Sequence, residues 1–361
     1  MKKPEFYAVI LSGGSGERFW PLSTPDRPKQ FLTVFGGRSL IRQSVDRLAG
    51  LVPPERILVV TAASLAKATR RELPMLPRAN VVSEPCRRDT AAAVATACGL
   101  VERLGGESAV AAILTADQLM GDEAAFRRVL ADAARAAAAT DDIVTMGVTP
   151  DYPATGFGYI QVVGAVKLDT RTVFHRAKRF VEKPDEATAR RYLSSGKYVW
   201  NAGMFVWKVS TMKAALAHGA PALAELASAV ADRRRSVSRT LDAVYPGLSR
   251  ISIDYAVMEK VRNILVSRGD FGWDDVGTWS SADRHLATDA RRNVLKGNVA
   301  VLDVSGTVAI ATEDAPQIAA LGVKDLVIVA TGKSLLVADK SRVQDLKKIL
   351  AVMVEQKGRA K

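Results

Sequence analysis

The sequence predicts an α/β protein with a Rossmann-like, three-layer domain around a mostly parallel sheet, followed by a small β-rich unit. The first observation is an alternation, over the first 270 residues, of short apolar β-branched runs with longer helical patterns. The runs typical of buried strands are Phe6–Leu11, Ile57–Thr61, Val110–Leu114 and Ile143–Val148. The helical stretches between them are Leu40–Leu48, Thr90–Leu104 and Glu123–Ala139. This alternation places ligands at the carboxyl ends of the strands.

The second observation is a change of pattern after about residue 290. Short strand candidates separated by Gly, Asp and Lys turns follow there: Val299–Asp303, Thr307–Ala311, Leu326–Ala330 and Ser334–Ala338. An amphipathic helix, Arg342–Glu355, closes the chain. We therefore predict a large domain over residues 1–289 and a β-helix-like C-terminal unit over residues 290–361.

Composition excludes several classes of protein. The 361 residues are 48% hydrophobic and 25% charged, which is ordinary globular usage. The two cysteines, Cys86 and Cys98, form neither a CxxC pair nor a disulfide framework, so a reducing compartment is expected. The apolar run Phe6–Leu11 is too short for a signal peptide or a membrane span. We expect a cytoplasmic protein without a membrane partner.

The net charge of +13 allows three interpretations: a solvated basic surface, nucleic acid binding, or binding of a highly anionic small molecule. Nucleic acid binding is disfavoured, because the basic run Arg233–Arg235 is short and contains no interleaved aromatic residues.

A glycine-rich loop follows the first predicted strand, with Gly13, Gly14 and Gly16 ahead of Arg18. Glycines let backbone N–H groups wrap phosphate oxygens, and Arg18 adds a planar cation. Lys29 supplies a second cation behind Pro28. The spacing lacks the Gly-Lys-Ser/Thr of a P-loop and the acidic residue of a dinucleotide fingerprint, which disfavours an oxidoreductase.

The run LSGGSGERFWPLS at residues 11–23, with PKQ at residues 28–30, resembles the signature of nucleotide-sugar pyrophosphorylases. The Trp-Pro-Leu-Ser and Pro-Lys-Gln-Phe details are similar to the mannose-1-phosphate guanylyltransferase branch of that family. The resemblance covers roughly residues 6–350. It implies a Mg²⁺-dependent transfer of GMP from GTP to mannose 1-phosphate, with the protein as a homodimer.

The resemblance also implies site residues. For the nucleotide they are Leu11, Gly13, Gly14, Gly16, Arg18, Lys29, Glu84, Arg88 and Thr90. For base recognition, a carboxylate such as Glu84 could accept from the adjacent N–H donors of guanine. Without the resemblance, the segment from Glu84 to Thr90 reads as a capped helix start, with Asp89 or Thr90 as the cap.

Two aspartates are implied as Mg²⁺ ligands and catalytic residues together with Arg18 and Lys29. Asp117 follows the strand Val110–Leu114, in a context where the family has a histidine and this chain has Gln118. Any role of that histidine is expected to be lost. Asp275 lies in a Gly-Trp-x-Asp-Val-Gly-x-Trp pattern, whose variable position is Asp274. Magnesium typically takes one or two carboxylates together with substrate phosphates.

The sugar phosphate is assigned to Gly158, Glu182, Lys183 and Asn201 by the same resemblance. Glu182 would bind sugar hydroxyls, Lys183 the phosphate and Asn201 the sugar. Asp254 matches a helix start of the family and could be only an N-cap.

Alternatives remain open at this stage. The same chemistry could act on a heptose or glucose 1-phosphate, or on UTP. A non-catalytic relative that binds nucleotide sugars is disfavoured, because Arg18, Lys29, Asp117 and Asp275 are all retained. The three histidines form no cluster of metal ligands, so no isomerase activity is expected.

Overall fold

The computed structural model describes residues 4–14 and 16–359; residues 1–3, Ser15 of the glycine-rich loop and residues 360–361 lie outside the described part. The chain forms two compact units. The first unit comprises Met1–Gly13 and Ser44–Asp274, and the second comprises Gly14–Gln43 and Asp275–Lys361. The domain boundary between residues 289 and 290 stays a prediction.

The strands and helices have the following bounds. The strands are β1 Phe6–Ser12, β2 Ile57–Ala62, β3 Val81–Glu84, β4 Val110–Thr115, β5 Leu119–Met120, β6 Ile143–Val148, β7 Tyr159–Val166, β8 Phe174–Val181, β9 Tyr198–Lys208, β10 Ile264–Gly269, β11 Trp273–Asp274, β12 Val294–Lys296, β13 Val299–Leu302, β14 Val308–Ala311, β15 Ile318–Leu321, β16 Leu326–Ala330 and β17 Leu335–Asp339. The helices are α1 Leu40–Asp46, α2 Ala66–Glu72, α3 Asp89–Gly105, α4 Glu123–Ala139, α5 Glu186–Ser195, α6 Val209–Gly219, α7 Pro221–Ala231, α8 Val237–Val244, α9 Ala282–His285 and α10 Leu346–Arg359.

The first unit is built on a sheet with the strand order β3-β2-β1-β4-β9-β6-β10-β8-β7. The pairs β3–β2, β2–β1, β1–β4 and β6–β10 are parallel. Strand β9 is antiparallel to β4 and β6, and β8 is antiparallel to β10 and β7. In the described sheet all strands except β8 and β9 therefore run in one direction, so β1, β3, β4 and β6 end at the same edge.

The predicted fold class and the four predicted strands of the first unit are confirmed. These strands are buried almost throughout, as their continuous apolar sequences indicate. The sheet is nevertheless mixed, because the long apolar strand β9 lies between β4 and β6. Helix α3 packs on α7. The contact is close: a Cβ atom on Gly99 would lie 2.3 Å from the carbonyl oxygen of Ala227.

The C-terminal part of the second unit is β-helix-like, as predicted. Successive strands alternate between two sheets: β12, β14 and β16 are parallel neighbours in one, and β13 and β15 pair in parallel in the other. Small apolar side chains fill the coil between them, among them Ala309, Ala311, Ile318 and Ala330.

Two details of this part differ from the prediction. Strands β12 and β15 have only three and four residues and were not predicted. The final helix begins at Leu346 rather than at Arg342. The reason is local, because Asp339 accepts a hydrogen bond from the Ser341 N–H and starts a 3₁₀ segment, Lys340–Asp345.

Within residues 4–14 and 16–359, no helix combines the length and the apolarity needed to cross a membrane.

Candidate active site

Gly16, at the end of the glycine-rich loop, lies in the second unit in a tight turn against Lys29. Gly16 has φ 60°, and a Cβ atom on it would lie 2.3 Å from the Lys29 backbone nitrogen. The carbonyl of Gly16 accepts hydrogen bonds from the Phe19 N–H at 3.2 Å and from the Ser23 hydroxyl at 2.6 Å. No residue with a side chain fits this turn without displacing Lys29, which explains why glycine stands there.

Lys29 connects the loop to the segment that begins at Asp275. Its ammonium group donates to the backbone carbonyl of Asp275 at 2.6 Å, and the residue is only 7% exposed. Behind it, the Phe19 ring packs on Trp279 at 5.1 Å, and the Trp279 indole donates to the Trp20 carbonyl at 3.1 Å. These contacts bring two segments from distant parts of the sequence together.

Arg18 and the carboxylate of Asp275 lie beside the same glycine. A Cβ atom on Gly277 would be 3.2 Å from Asp275 Oδ2 and 3.9 Å from Arg18 Nη1. Val276, between Asp275 and Gly277 in sequence, is buried and has φ 47°, which is rare for a β-branched residue. Strain of this kind concentrates at functional sites. The second unit thus brings Gly16, Arg18, Lys29 and Asp275 together, as the sequence predicts.

Asp117 lies in the first unit, two residues beyond β4. Its loop is held by the backbone: the Ala116 N–H donates to the Leu11 carbonyl at 3.1 Å, and the guanidinium of Arg47 donates to the Gln118 carbonyl at 3.0 Å. Burial lowers the pKa of Arg47 to about 10. Leu11, near the end of β1, and Asp117, just beyond β4, therefore lie at the carboxyl ends of two neighbouring parallel strands.

The predicted magnesium pair belongs to both units, with Asp117 in the first and Asp275 in the second. Among the described residues, no group of three or more His, Cys, Asp or Glu side chains could hold a metal ion. Both aspartates are half-buried. A carboxylate is a ligand that Mg²⁺ accepts together with substrate phosphates and water. The pairing itself stays a prediction.

Glu84, Arg88 and Thr90 gather around the segment from Tyr245 to Ile253. The Tyr245 hydroxyl donates to Glu84 Oε1. Burial raises the pKa of Glu84, although this hydrogen bond opposes the shift. Thr90 accepts from the Ile253 N–H at 2.9 Å.

Arg88 donates to the backbone carbonyls of Arg87, Tyr245 and Pro246, so its guanidinium also holds this segment in place. Helix α3 begins at Asp89, but the expected cap by Asp89 or Thr90 is wrong: the N-cap position is Arg88, without a capping side-chain hydrogen bond, and Asp89 accepts from the adjacent Thr90 N–H at 2.8 Å. The nucleotide roles of Glu84, Arg88 and Thr90 stay predictions.

The four predicted sugar-phosphate residues converge in the first unit. The Asn201 N–H donates to the Gly158 carbonyl at 2.8 Å. Glu182 Oε2 occupies the space of a missing side chain, 2.6 Å from where the Cβ of Gly158 would lie. The Lys183 ammonium donates to Glu182 Oε1 at 2.7 Å. A side chain at position 158 would displace the Glu182 carboxylate from its present place.

Asp254 also belongs to this group. The sequence left open whether Asp254 is a site residue or only an N-cap. Asn201 Nδ2 donates to Asp254 Oδ1 at 2.9 Å. Burial and the negative charge of Glu182 raise the pKa of Asp254, although the Asn201 amide opposes the shift. The local signal was the motif Ser252-Ile253-Asp254, but an N-cap has the same pattern. Asp254 starts a π-helical turn, Asp254–Met258, instead.

Comparisons with known proteins agree with the family resemblance. A family model described as Nucleotidyl transferase matches residues 7–290, and one described as MannoseP isomerase/GMP-like beta-helix domain matches residues 297–353. Mannose-1-phosphate guanylyltransferase RfbM of Salmonella typhimurium is 37% identical, over 96% of this chain and 72% of its own length. Mannose-1-phosphate guanylyltransferase of Escherichia coli K12 is 34% identical, over 97% of this chain and 74% of its own.

Among solved structures, a Thermus thermophilus protein described as mannose-1-phosphate geranyltransferase is 36% identical, with a TM-score of 0.86. The alignment covers 97% of this chain and 99% of that chain.

We predict that Asp254→Asn leaves the free energy of unfolding at pH 7 unchanged or increases it. The raised pKa means that the folded protein binds this proton more tightly than the unfolded chain does. The stability from Asp254 is therefore present below the unfolded pKa of about 3.9 and is lost as the pH rises through the folded value. Asparagine keeps the acceptor for Asn201 and removes the repulsion from Glu182.

Urea unfolding at several pH values between 5 and 8 checks this, with the exposed Asp270→Asn as the control. A clear loss of stability at pH 7 in Asp254→Asn alone would contradict the repulsion between Asp254 and Glu182.

Proposed function

Because the chain belongs to the nucleotidyl transferase family, we propose that it transfers GMP from GTP to mannose 1-phosphate, giving GDP-mannose and pyrophosphate. The observation that carries the proposal is the meeting of Arg18, Lys29 and Asp275 around glycine-rich turns in the second unit. The similarity to mannose-1-phosphate guanylyltransferases over almost the whole chain supports this choice of sugar and base.

The reaction needs no general base. A sugar phosphate has a second pKa near 6 and is largely a dianion at pH 7. One of its oxygens attacks the α-phosphorus of GTP in line, and the bond from that phosphorus to the bridging oxygen of pyrophosphate breaks. The electron pair leaves with pyrophosphate, and the protein forms no covalent intermediate.

The main barrier is repulsion between two anions. Unit charges about 4 Å apart repel by roughly 4 kcal/mol at an effective dielectric near 20. Arg18, Lys29 and the backbone N–H groups of the loop at Gly13, Gly14 and Gly16 are suited to offset this repulsion by charge and by fixed orientation. Mg²⁺ held by Asp117 and Asp275 would neutralise phosphate charge in the same way.

Sugar recognition is assigned to the group around Asn201. Glu182 and Asp254 offer carboxylate oxygens to sugar hydroxyls, and Asn201 is oriented by its hydrogen bond to Asp254. Gly158 lets the chain pass under Glu182 without a side chain. Lys183 brings a positive charge for the sugar phosphate.

Base recognition is assigned to Glu84 at the carboxyl end of β3. Its carboxylate would accept from the two adjacent N–H donors of guanine. Tyr245 fixes one of its oxygens. Arg88 and Thr90 hold the neighbouring backbone in place.

The proposal extends to cellular context. Cys86 and Cys98 are free thiols, which suits the cytoplasm. A homodimer is proposed from the family resemblance. Neither a membrane nor a nucleic acid is proposed as a partner.

We predict that the protein releases pyrophosphate fastest with GTP, mannose 1-phosphate and Mg²⁺. The assay mixes each of the four nucleoside triphosphates with several sugar 1-phosphates, including those of glucose and a heptose. A different preferred pair would correct the substrate and keep the chemistry. No pyrophosphate from any pair would instead favour a non-catalytic protein that binds nucleotide sugars.

We predict that Lys29→Ala lowers kcat about 10²–10³-fold, which is typical for loss of one group that stabilises transition-state charge. Lys296→Ala is the matched control, because Lys296 also donates to a backbone carbonyl, that of Val34, in the second unit. Steady-state kinetics and thermal unfolding are measured for both variants. Near-normal turnover in folded Lys29→Ala would refute the catalytic role.

We predict that Asp275→Asn and Asp117→Asn each raise the Mg²⁺ concentration for half-maximal rate by at least about tenfold. The carboxamide keeps the size of the side chain and removes the negative charge that binds the ion. Asp274→Asn serves as the neighbouring control. A magnesium titration of Asp275→Asn that overlays the wild type would show that Asp275 is not a ligand.

A further inference from the structure

The side chain of Gln118 bridges two separate segments of the first unit. It is buried, with 5% exposure. Its Oε1 accepts a hydrogen bond from the Trp273 indole N–H at 2.8 Å, and its Nε2 donates to the Ala202 carbonyl at 3.0 Å. Both bonds are fully buried, where an unmet polar group is costly.

Each partner of this amide borders a residue of the proposed site. Gln118 follows Asp117, and Ala202 follows Asn201 on β9. The Trp273 ring also packs on Phe157 at 5.2 Å, and Phe157 precedes Gly158. Gln118 therefore connects the loop of Asp117 directly with the segment that carries Asn201. Through the rings of Trp273 and Phe157 it is also linked to the segment that carries Gly158.

The backbone around Gln118 is anchored on the other sides. The Gln118 carbonyl accepts from the buried guanidinium of Arg47. Strand β5 pairs with β11, where Met120 lies opposite Trp273. The Gly121 N–H then donates to the Gly272 carbonyl at 2.9 Å. With the main chain fixed in this way, a shift of the Gln118 amide would act on β9.

We propose that Gln118 is a positioning residue that holds the Asp117 loop and the sugar-binding strand β9 in one fixed arrangement. The inference rests on the proposed function. The family resemblance implied that any role of the family's histidine is lost in this chain, because Gln118 stands at that position. The structure assigns the glutamine a role of its own, since it both accepts and donates.

Few side chains can replace this amide. The site needs an acceptor toward Trp273 and a donor toward Ala202. Leucine supplies neither, and glutamate keeps the acceptor but places a negative charge against the Ala202 carbonyl. A neutral histidine has one accepting and one donating ring nitrogen.

The test compares Gln118→Leu, Gln118→Glu and Gln118→His at pH 8, above the ordinary imidazole pKa of about 6.5. We expect Gln118→Leu and Gln118→Glu to raise KM for mannose 1-phosphate and the Mg²⁺ half-saturation concentration together. The loss in kcat/KM is expected to be about 10- to 100-fold, as for other residues that orient ligands from behind. Gln118→His should recover most of it.

A second measurement does not depend on turnover. Calorimetric titration with GDP-mannose, without GTP and without magnesium, should show the same order: wild type and Gln118→His bind tightly, and Gln118→Glu and Gln118→Leu bind weakly. Gln161→Leu, a half-buried glutamine on β7, is the matched control and should bind like the wild type.

The changes in kcat, KM and GDP-mannose affinity distinguish a positioning role of Gln118 from a general effect on protein stability. A partly unfolded enzyme loses kcat at unchanged KM, whereas a displaced strand raises KM and weakens binding. The proposal would be overturned if the wild type is active and the Gln118→Leu and Gln118→Glu variants keep its KM and its affinity for GDP-mannose. If Gln118→Leu does not fold, Gln118→Glu and Gln118→His decide by the same measurements. An inactive wild type would instead refute the proposed function.

Discussion

The hydrogen bond from the Lys29 ammonium to the Asp275 carbonyl is the interaction on which the arrangement of Gly16, Lys29 and Asp275 in the second unit depends. A nearly buried ammonium group is costly unless it is well paired, so this bond fixes where both segments lie. Gly16 is then required, because any side chain there would collide with the Lys29 backbone. The ring contact of Phe19 with Trp279 supports the arrangement from behind. The glycine at position 16 and the aromatic packing of Phe19 thus follow from one constraint: the Lys29 ammonium group must reach the backbone carbonyl of Asp275.

The group around Asn201 in the first unit, for which sugar binding is proposed, follows a different constraint. Glu182 and Asp254 place two carboxylates near each other. Burial, and then the negative charge of Glu182, raise the pKa of Asp254. Folding alone would favour a neutral residue there. Such a cost is expected where polar groups must remain ready for the hydroxyls of a ligand. The amide of Asn201 reduces the cost by donating to Asp254, and in doing so it fixes its own orientation.

Local patterns predicted much of this protein. The buried strands β1, β2, β4 and β6 are continuous apolar runs, and the glycine-rich loop is recognisable from composition and position alone. The roles of individual residues came mainly from family resemblance. The contacts of Gln118, Arg47 and Tyr245 could not be predicted, because their partners lie far away in sequence: Gln118 bonds to Trp273, and Tyr245 bonds to Glu84. Asp254 could not be separated from an N-cap, because the pattern before a helix is the same in both cases. Strands β12 and β15 are too short for any periodic signal.

The proposed site assigns the choice of base and sugar to residues of the first unit. In the proposed reaction, Arg18, Lys29 and Asp275 would act on phosphate charge. Every nucleoside triphosphate and every sugar phosphate carries that charge, so these residues would not distinguish guanine from uracil or mannose from glucose. Discrimination needs groups that lose a hydrogen bond with the wrong substrate. The candidates with fixed orientation are Glu84, held by Tyr245, and the pair of Asn201 and Asp254. Both are buried enough that an unmatched donor or acceptor would be costly, and this cost is the physical basis of selection.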